Sequence, residues 1–367
     1  MRHHDTAPRA RRPRPHRLAA ALLAFVGLAV MPTAATASPT TPETQAARFN
    51  PGHYVALGVN GEVADVERLD TPGVVGVSKR YKWRHLEPRR GDYDFTAIRE
   101  DLALLADRDK QLVVFLIDRS FSKWPALPRY LEAHEIAVDG GTCPARWDPE
   151  VVERFVALGR ALGDTFNDHP HFEGVAIQET SLGLPADVRA AHGYTHEAYR
   201  DALIEILTGL GDALPHGRVF WYQNFFTDGE QRYLEQIADA VIGTNVVMGG
   251  PDILPHRRYM SRVAYPLYDT YRGRLPLFCS AQNDSYKHHA NDVRLGQPAE
   301  VPPSGYLTLE EIFRFARDEL HVSYLFWDNR TEAAAPGERT FDDALDVIRR
   351  HPTFNTELNR RFSPNGS

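Results

Sequence analysis

Short apolar runs recur along the chain from residue 54 onward, each ending in polar residues and each followed by a stretch with helical spacing. The eight runs are YVALGVN at 54–60, GVVGVSKRY at 73–81, QLVVFLID at 111–118, FEGVAIQE at 172–179, RVFWYQNF at 218–225, ADAVIGTNVV at 238–247, LPLFCSAQ at 275–282 and HVSYLFWD at 321–328. Their interiors are continuously apolar, the pattern of parallel strands covered on both faces. Between them, apolar residues sit three and four apart at Ile98, Leu102 and Leu105, and again at Val152, Phe155, Val156 and Leu162. Asp148-Pro149 supplies a start signal for the second of these helices. Further helices are expected at 195–213, 229–237, 258–271, 308–319 and 340–350. Eight β/α units in roughly 300 residues predict an α/β fold of the (β/α)8 TIM-barrel type. The doubly wound alternative lacks a glycine-rich phosphate loop after its first strand. The irregular stretches 119–147 and 283–307 each follow a strand, so they are expected to build up the catalytic face.

What precedes the barrel changes the picture of where it works. A basic region with Arg9, Arg11, Arg12, Arg14 and Arg17 leads into LAAALLAFVGLAV and then ATA at 35–37. This reads as a secretory signal peptide over residues 1–37, followed by a flexible lead-in at 38–50 and the barrel at 51–367. The protein is therefore expected to be secreted or periplasmic, with no stable membrane span in the mature chain. Removing the leader takes away six Arg and one Asp, leaving 36 basic against 48 acidic residues and a net charge of −12. Such an acidic protein is a poor partner for nucleic acid or anionic membranes. The two cysteines, Cys143 and Cys279, make no disulfide scaffold. Neither they nor the 16 His fall into a metal-ligand spacing, so no metal or cofactor is expected.

In parallel barrels the active site lies at the carboxyl ends of the strands. Those ends supply Asn60 and Glu62; Arg80, Lys82 and Trp83; Asp118 and Arg119; Gln178 and Glu179; Tyr222, Gln223 and Asn224; Asn245; Gln282, Asn283 and Asp284; and Trp327, Asp328 and Asn329. Hydrogen-bonding groups beside aromatic rings suit sugars, whose hydroxyls take polar partners and whose C–H faces stack on Trp and Tyr. Arg80 and Lys82 share one face of their strand. Facing inward, they favour an acidic sugar or a carboxylate partner; facing outward, they are a solvated edge. The Gly-Gly-Pro-Asp turn at 249–252 either carries Asp252 over the cleft or is turn chemistry alone.

Two segments carry a family resemblance. YKWRHLEPRRGDYDF resembles barrel glycoside hydrolases with a W-x-x-L-E-P-x-x-G-x-Y-D-F pattern, matched by Trp83, Leu86, Glu87, Pro88, Gly91, Tyr93, Asp94 and Phe95. Glu87 is structural in that pattern. WDPEVVERFVALGRALGDTFNDHPHFEGVAIQETS is similar to the unit leading to the acid/base Glu of the large clan of retaining (β/α)8 glycosidases. The resemblance implies that Glu179 is the general acid/base and that the substrate is an oligo- or polysaccharide.

The departures keep the second half of the chemistry open. That clan carries Asn before the acid/base and a nucleophilic Glu ending the seventh strand, whereas here Gln178 and Gln282 stand at those places. An uncharged amide does not replace a carboxylate nucleophile. Asp284 is the nearest alternative, with Glu62, Asp118, Asp252 and Asp328 as further candidates. Arg80, Trp83, Asp118, Gln178, Tyr222, Asn224, Asp252, Gln282 and Trp327 are expected to contact the substrate. The rival readings are a glycan-binding barrel without catalysis, and a polysaccharide lyase using Tyr222 or a His as base.

Overall fold

The computed structural model describes residues 47–66, 68–138, 140–288 and 305–357. The expected leader and most of the lead-in lie outside the described residues. Eight strands, β1 (Gly52–Leu57), β2 (Val74–Lys82), β3 (Gln111–Ile117), β4 (Phe172–Ile177), β5 (Arg218–Tyr222), β6 (Val246–Pro251), β7 (Leu277–Ala281) and β8 (Tyr324–Asp328), pair in parallel, each with the next. β8 pairs with β1 and closes the barrel. This is the predicted (β/α)8 architecture.

Most helices fall where the periodicity placed them, including Thr96–Ala106, Pro149–Phe166, His196–Ala213 and Phe341–Arg350. Asp148 caps the second, its carboxylate accepting from the Glu150 amide at 2.9 Å. The helix expected over 258–271 is two, Arg258–Val263 and Tyr265–Tyr271, with Pro266 in the first turn of the second, where a missing N–H is tolerated. The sixth strand departs more. It runs 246–251, not 238–247, and residues 238–240 finish the helix Arg232–Ala240. Asn245 therefore stands at the amino end of the barrel, its side chain donating to the Leu214 and Gly217 carbonyls at 2.7 and 2.9 Å.

The barrel is filled by rings. Tyr54, Phe220, Tyr324 and Phe326 pack below Phe115, Tyr222 and Phe278, with centroid separations of 4.7 Å for both Phe115–Tyr222 and Tyr222–Phe278. This plug makes the interior a solid core, and Phe115 in its upper layer lines the cleft above it. Below it, a bulge in β4 turns Glu173 inward, where it is fully buried and accepts from Tyr324 Oη at 2.6 Å and Asn50 Nδ2 at 2.7 Å. The next residue is glycine of necessity: its φ is 151°, and a Cβ there would lie 1.9 Å from the Arg218 carbonyl oxygen.

Above the plug, the loop after β3 carries an antiparallel hairpin, Glu135–Val138 with Gly141–Pro144. Ser120 and Thr142 exchange backbone hydrogen bonds at 3.0 and 2.9 Å, so the hairpin buttresses the chain as it leaves β3. Cys143, in the hairpin, and Cys279, on β7, are both free and buried; burial pushes their thiols up to about 11 and about 12.

Candidate active site

The segment 178–181 is held from three sides. Gln178 Oε1 accepts from the backbone amides of Asp118 and Arg119 at 2.9 and 2.6 Å, tying the end of β4 to the end of β3. Arg146 forks onto Asp118 at 2.6 and 2.7 Å and gives its remaining nitrogen to the Glu179 carbonyl at 2.6 Å. From β5, Tyr222 O accepts from the Thr180 amide at 3.1 Å, and Asn224 Oδ1 accepts from the Ser181 amide at 2.9 Å. Asn224 Nδ2 then donates to Glu179 Oε2 at 2.8 Å. A carboxylate whose backbone and one oxygen are so fixed presents its other oxygen in a set direction.

The other carboxylates gather on the ends of β6 to β8. Asp252 follows β6 in left-handed backbone, with φ of 64°, so the glycine-proline turn carries it to the site. Its carboxyl pKa is raised to about 7, first by burial and then by the charges of Asp284 and Glu179. Asp284, after β7, is half-buried and pairs with Lys287 at 3.1 Å and Arg257 at 3.7 Å. Asp328, ending β8, also has a raised pKa, from burial, opposed by Arg80 and Arg330. Gln282 lines the cleft at the end of β7.

Opposite these acids, a cleft of about 790 Å³ opens between β2, the loop after β3 and β4. Arg80, Lys82 and Arg119 line it, so the basic face of β2 points inward. Trp124 and Phe121 stand in its wall with 65% and 67% of their surface exposed. These two rings were not singled out from sequence. The available signal was two aromatics in SFSKWP, an irregular polar segment with neither helical nor strand period, directly after a strand end.

Several expected substrate contacts are instead structural. Trp83 is fully buried outside the barrel, with Phe155 at 5.1 Å and its indole donating to Glu87. Glu87, also buried, further accepts from the Gly91 amide and pairs with Arg154. Trp327 is equally buried, because inward and outward residues alternate along β8 and Phe326 takes the inner place. Its indole donates to His53 Nδ1 at 3.0 Å, leaving His53 Nε2–H for the His351 carbonyl at 2.8 Å. Tyr222 is 1% exposed within the aromatic plug, and burial raises its phenol pKa, the opposite of what a tyrosinate base requires. Asp118 is 3% exposed and engaged by Arg146. Glu62 is paired with Lys79 at 3.2 Å. Among the described residues no cluster of His, Cys, Asp and Glu fits a metal ion.

No family model matches the chain, and no curated protein is similar to it in sequence. Solved structures with the same barrel do match. The GH5_18 protein from Streptomyces cattleya, in complex with GlcNAc, has a TM-score of 0.52 at 15% identity over 83% of this chain and 81% of that one. A variant of GH5_18 from the same organism with Manβ1-4GlcNAc gives 0.51 at 16% identity, over 82% and 80%. A GH5_18 variant from Bifidobacterium longum subsp. longum, also with Manβ1-4GlcNAc, gives 0.50 at 13% identity, over 80% and 72%. At these identities the likeness establishes a shared fold, the (β/α)8 barrel, and nothing about activity.

Proposed function

We propose that this protein is a glycoside hydrolase of oligo- or polysaccharides acting outside the cytoplasm, with Glu179 as the general acid. The observation that carries the reading is the placement of Glu179: it ends β4, its backbone carbonyl is clamped by Arg146, and one carboxyl oxygen is fixed by Asn224 on the rim of an aromatic-walled cleft. A glycosidase needs a positioned carboxyl to protonate the leaving oxygen and a second carboxylate to attack or to activate water. The Asp252 and Asp284 pair is the second group in this reading, since Asp252 feels both Asp284 and Glu179. In its ionised form Asp252 takes the proton of the attacking water while Glu179 gives its own to the departing sugar. The sugars bound by the GH5_18 proteins support a carbohydrate ligand. The leader-like sequence at 1–37 supports export.

A glycan-binding barrel without catalysis is the second reading, favoured by Gln282 at the end of β7. Product release from a panel of neutral and acidic glycans separates the two. The hydrolase releases reducing ends, and Glu179→Gln abolishes release while keeping affinity. Binding without release by the wild-type protein, equal in Glu179→Gln, would establish the binding barrel.

A further inference from the structure

Four largely buried guanidinium groups elsewhere have carboxylate partners, Arg146 with Asp118, Arg154 with Glu87, Arg189 with Asp228 and Arg330 with Glu338, while the buried Arg218 donates to the backbone carbonyls of Arg48 and Ala47. The cations of the cleft differ from those four. Among the described residues, Arg80, Lys82 and Arg119 have no carboxylate within ion-pair distance. Arg80 lies with its guanidinium carbon 5.4 Å from the Phe115 ring centroid, and Asp328 acts on it only through space. Lys82 donates to the Trp124 carbonyl at 3.2 Å. Arg119 donates to the Ser181 carbonyl at 3.0 Å and sits 4.5 Å from the Phe121 ring centroid, while its Nε is buried without a partner. Holding three partly desolvated cations side by side is unfavourable unless something negative joins them. Burial and the nearby Arg84 already lower the Lys82 pKa.

The same wall carries the exposed rings of Trp124 and Phe121, with Lys123 Nζ 5.3 Å from the Trp124 ring centroid. A flat apolar ring beside donors matches the C–H face of a sugar, and unpaired cations beside it match a charge on that sugar. The cleft lining is thereby cationic towards β2 and the loop after β3, with Glu179 as its carboxylate.

From this juxtaposition, and resting on the reading of the cleft as a glycan site, we infer that the substrate is an anionic glycan whose carboxylate or sulfate is held by Arg80, Lys82 and Arg119, with its sugar ring against Trp124 and Phe121. Calorimetric titration of the mature protein carrying Glu179→Gln, with oligogalacturonate, oligomannuronate, sulfated carrageenan oligosaccharides and the carboxyl-reduced or desulfated counterpart of each, tests it. At least one charged probe should bind about tenfold or more tightly than its neutral counterpart, as expected for a charge-assisted hydrogen bond, and the preference should shrink with added salt. Lys82→Gln and Arg80→Gln should each reduce that preference, weakening the charged form more than its neutral counterpart, while Trp124→Ala weakens both alike. A carboxylate is identified when only the uronides show the preference, a sulfate when only the carrageenans do. Equal affinity of charged and neutral forms, or no binding of any charged probe, would overturn the inference. These readouts are of binding alone: tight uronide binding without turnover by wild-type protein would sink the hydrolase reading and leave this one standing, and cleavage of neutral glycans without charge preference would do the reverse.

Discussion

Asn224 Nδ2 donates to Glu179 Oε2 across 2.8 Å, joining the end of β5 to the carboxyl group at the end of β4. The same amide's oxygen accepts from the backbone of Ser181 and Phe225, so one side chain sets both the turn and the Glu179 carboxyl group. Asn224→Asp keeps those acceptor roles but replaces the donor with a negative charge facing Glu179. Hydrogen bonds to charged groups contribute about 1.5–3 kcal/mol, so kcat should fall roughly 10- to 100-fold, with little change in KM. Steady-state kinetics on a cleaved glycan checks this; an unchanged kcat would mean that Glu179 is not oriented by Asn224.

The Arg146–Asp118 pair should matter to folding as much as to the site. Both side chains are almost wholly buried, so removing one partner leaves an uncompensated charge. Asp118→Leu alone should destabilise the protein by about 3–5 kcal/mol. The double variant with Arg146→Met should lose less than the sum of the two single losses, because no orphan charge remains. Chemical unfolding of the two singles and the double closes the cycle.

Asp252 makes a pH prediction whose sign is fixed. Its carboxyl pKa is raised to about 7 from an ordinary 3.8, so it becomes a carboxylate only as pH rises through that range. The rate kcat/KM should climb through a limb near pH 7, and Asp284→Asn, removing one like charge, should move the limb to lower pH. Stability runs the other way: the folded state loses ground as pH rises from about 4 to about 7, by about 1.4 kcal/mol per unit of difference. Asp252→Asn should therefore stabilise the protein at pH 8 and have little effect near pH 3. A pH–rate profile and thermal unfolding at the two pH values test both halves.

His53 predicts acid sensitivity. Its imidazole is fully buried, with Nδ1 accepting from Trp327 and Nε2 donating to the His351 carbonyl, so protonation would break the Trp327 bond. Burial lowers its pKa to about 4 from 6.5. The unfolded chain takes up this proton first, so the stabilisation is complete above pH 6.5 and is lost as pH falls towards 4, by about 3 kcal/mol. His53→Gln should flatten that part of the stability curve, read from denaturant midpoints between pH 7 and 4.

The barrel was legible in the sequence because its strands are continuous apolar runs and its helices keep their period. The same continuity hid the faces. Trp327 and Phe326 are equally apolar, and only the closed barrel reveals that Phe326 points in and Trp327 out. β6 was misplaced because VVMGGP looks like a strand running into a turn. Its glycine at 249 is demanded by packing, since a Cβ there would meet the Phe278 carbonyl oxygen at 2.0 Å. Glu179 stands out in the sequence because a charge ends an apolar run. Asn224 was named, but its bond to Glu179 depends on a chain separation of 45 residues that no local pattern encodes. Trp124 and Phe121 escaped because a ring in a loop has no periodic signature.

The pairing of β1 with β8 sets the order of events in biosynthesis. Gly52 to Ala56 find their hydrogen-bond partners at Tyr324 to Asp328, so one edge of the first strand stays open until nearly the whole chain has been made. Such a distant pairing forms late and slowly, and until then the nascent chain exposes a strand edge that invites association with other chains. A truncation that removes β8 should therefore aggregate during synthesis, not yield a smaller folded protein.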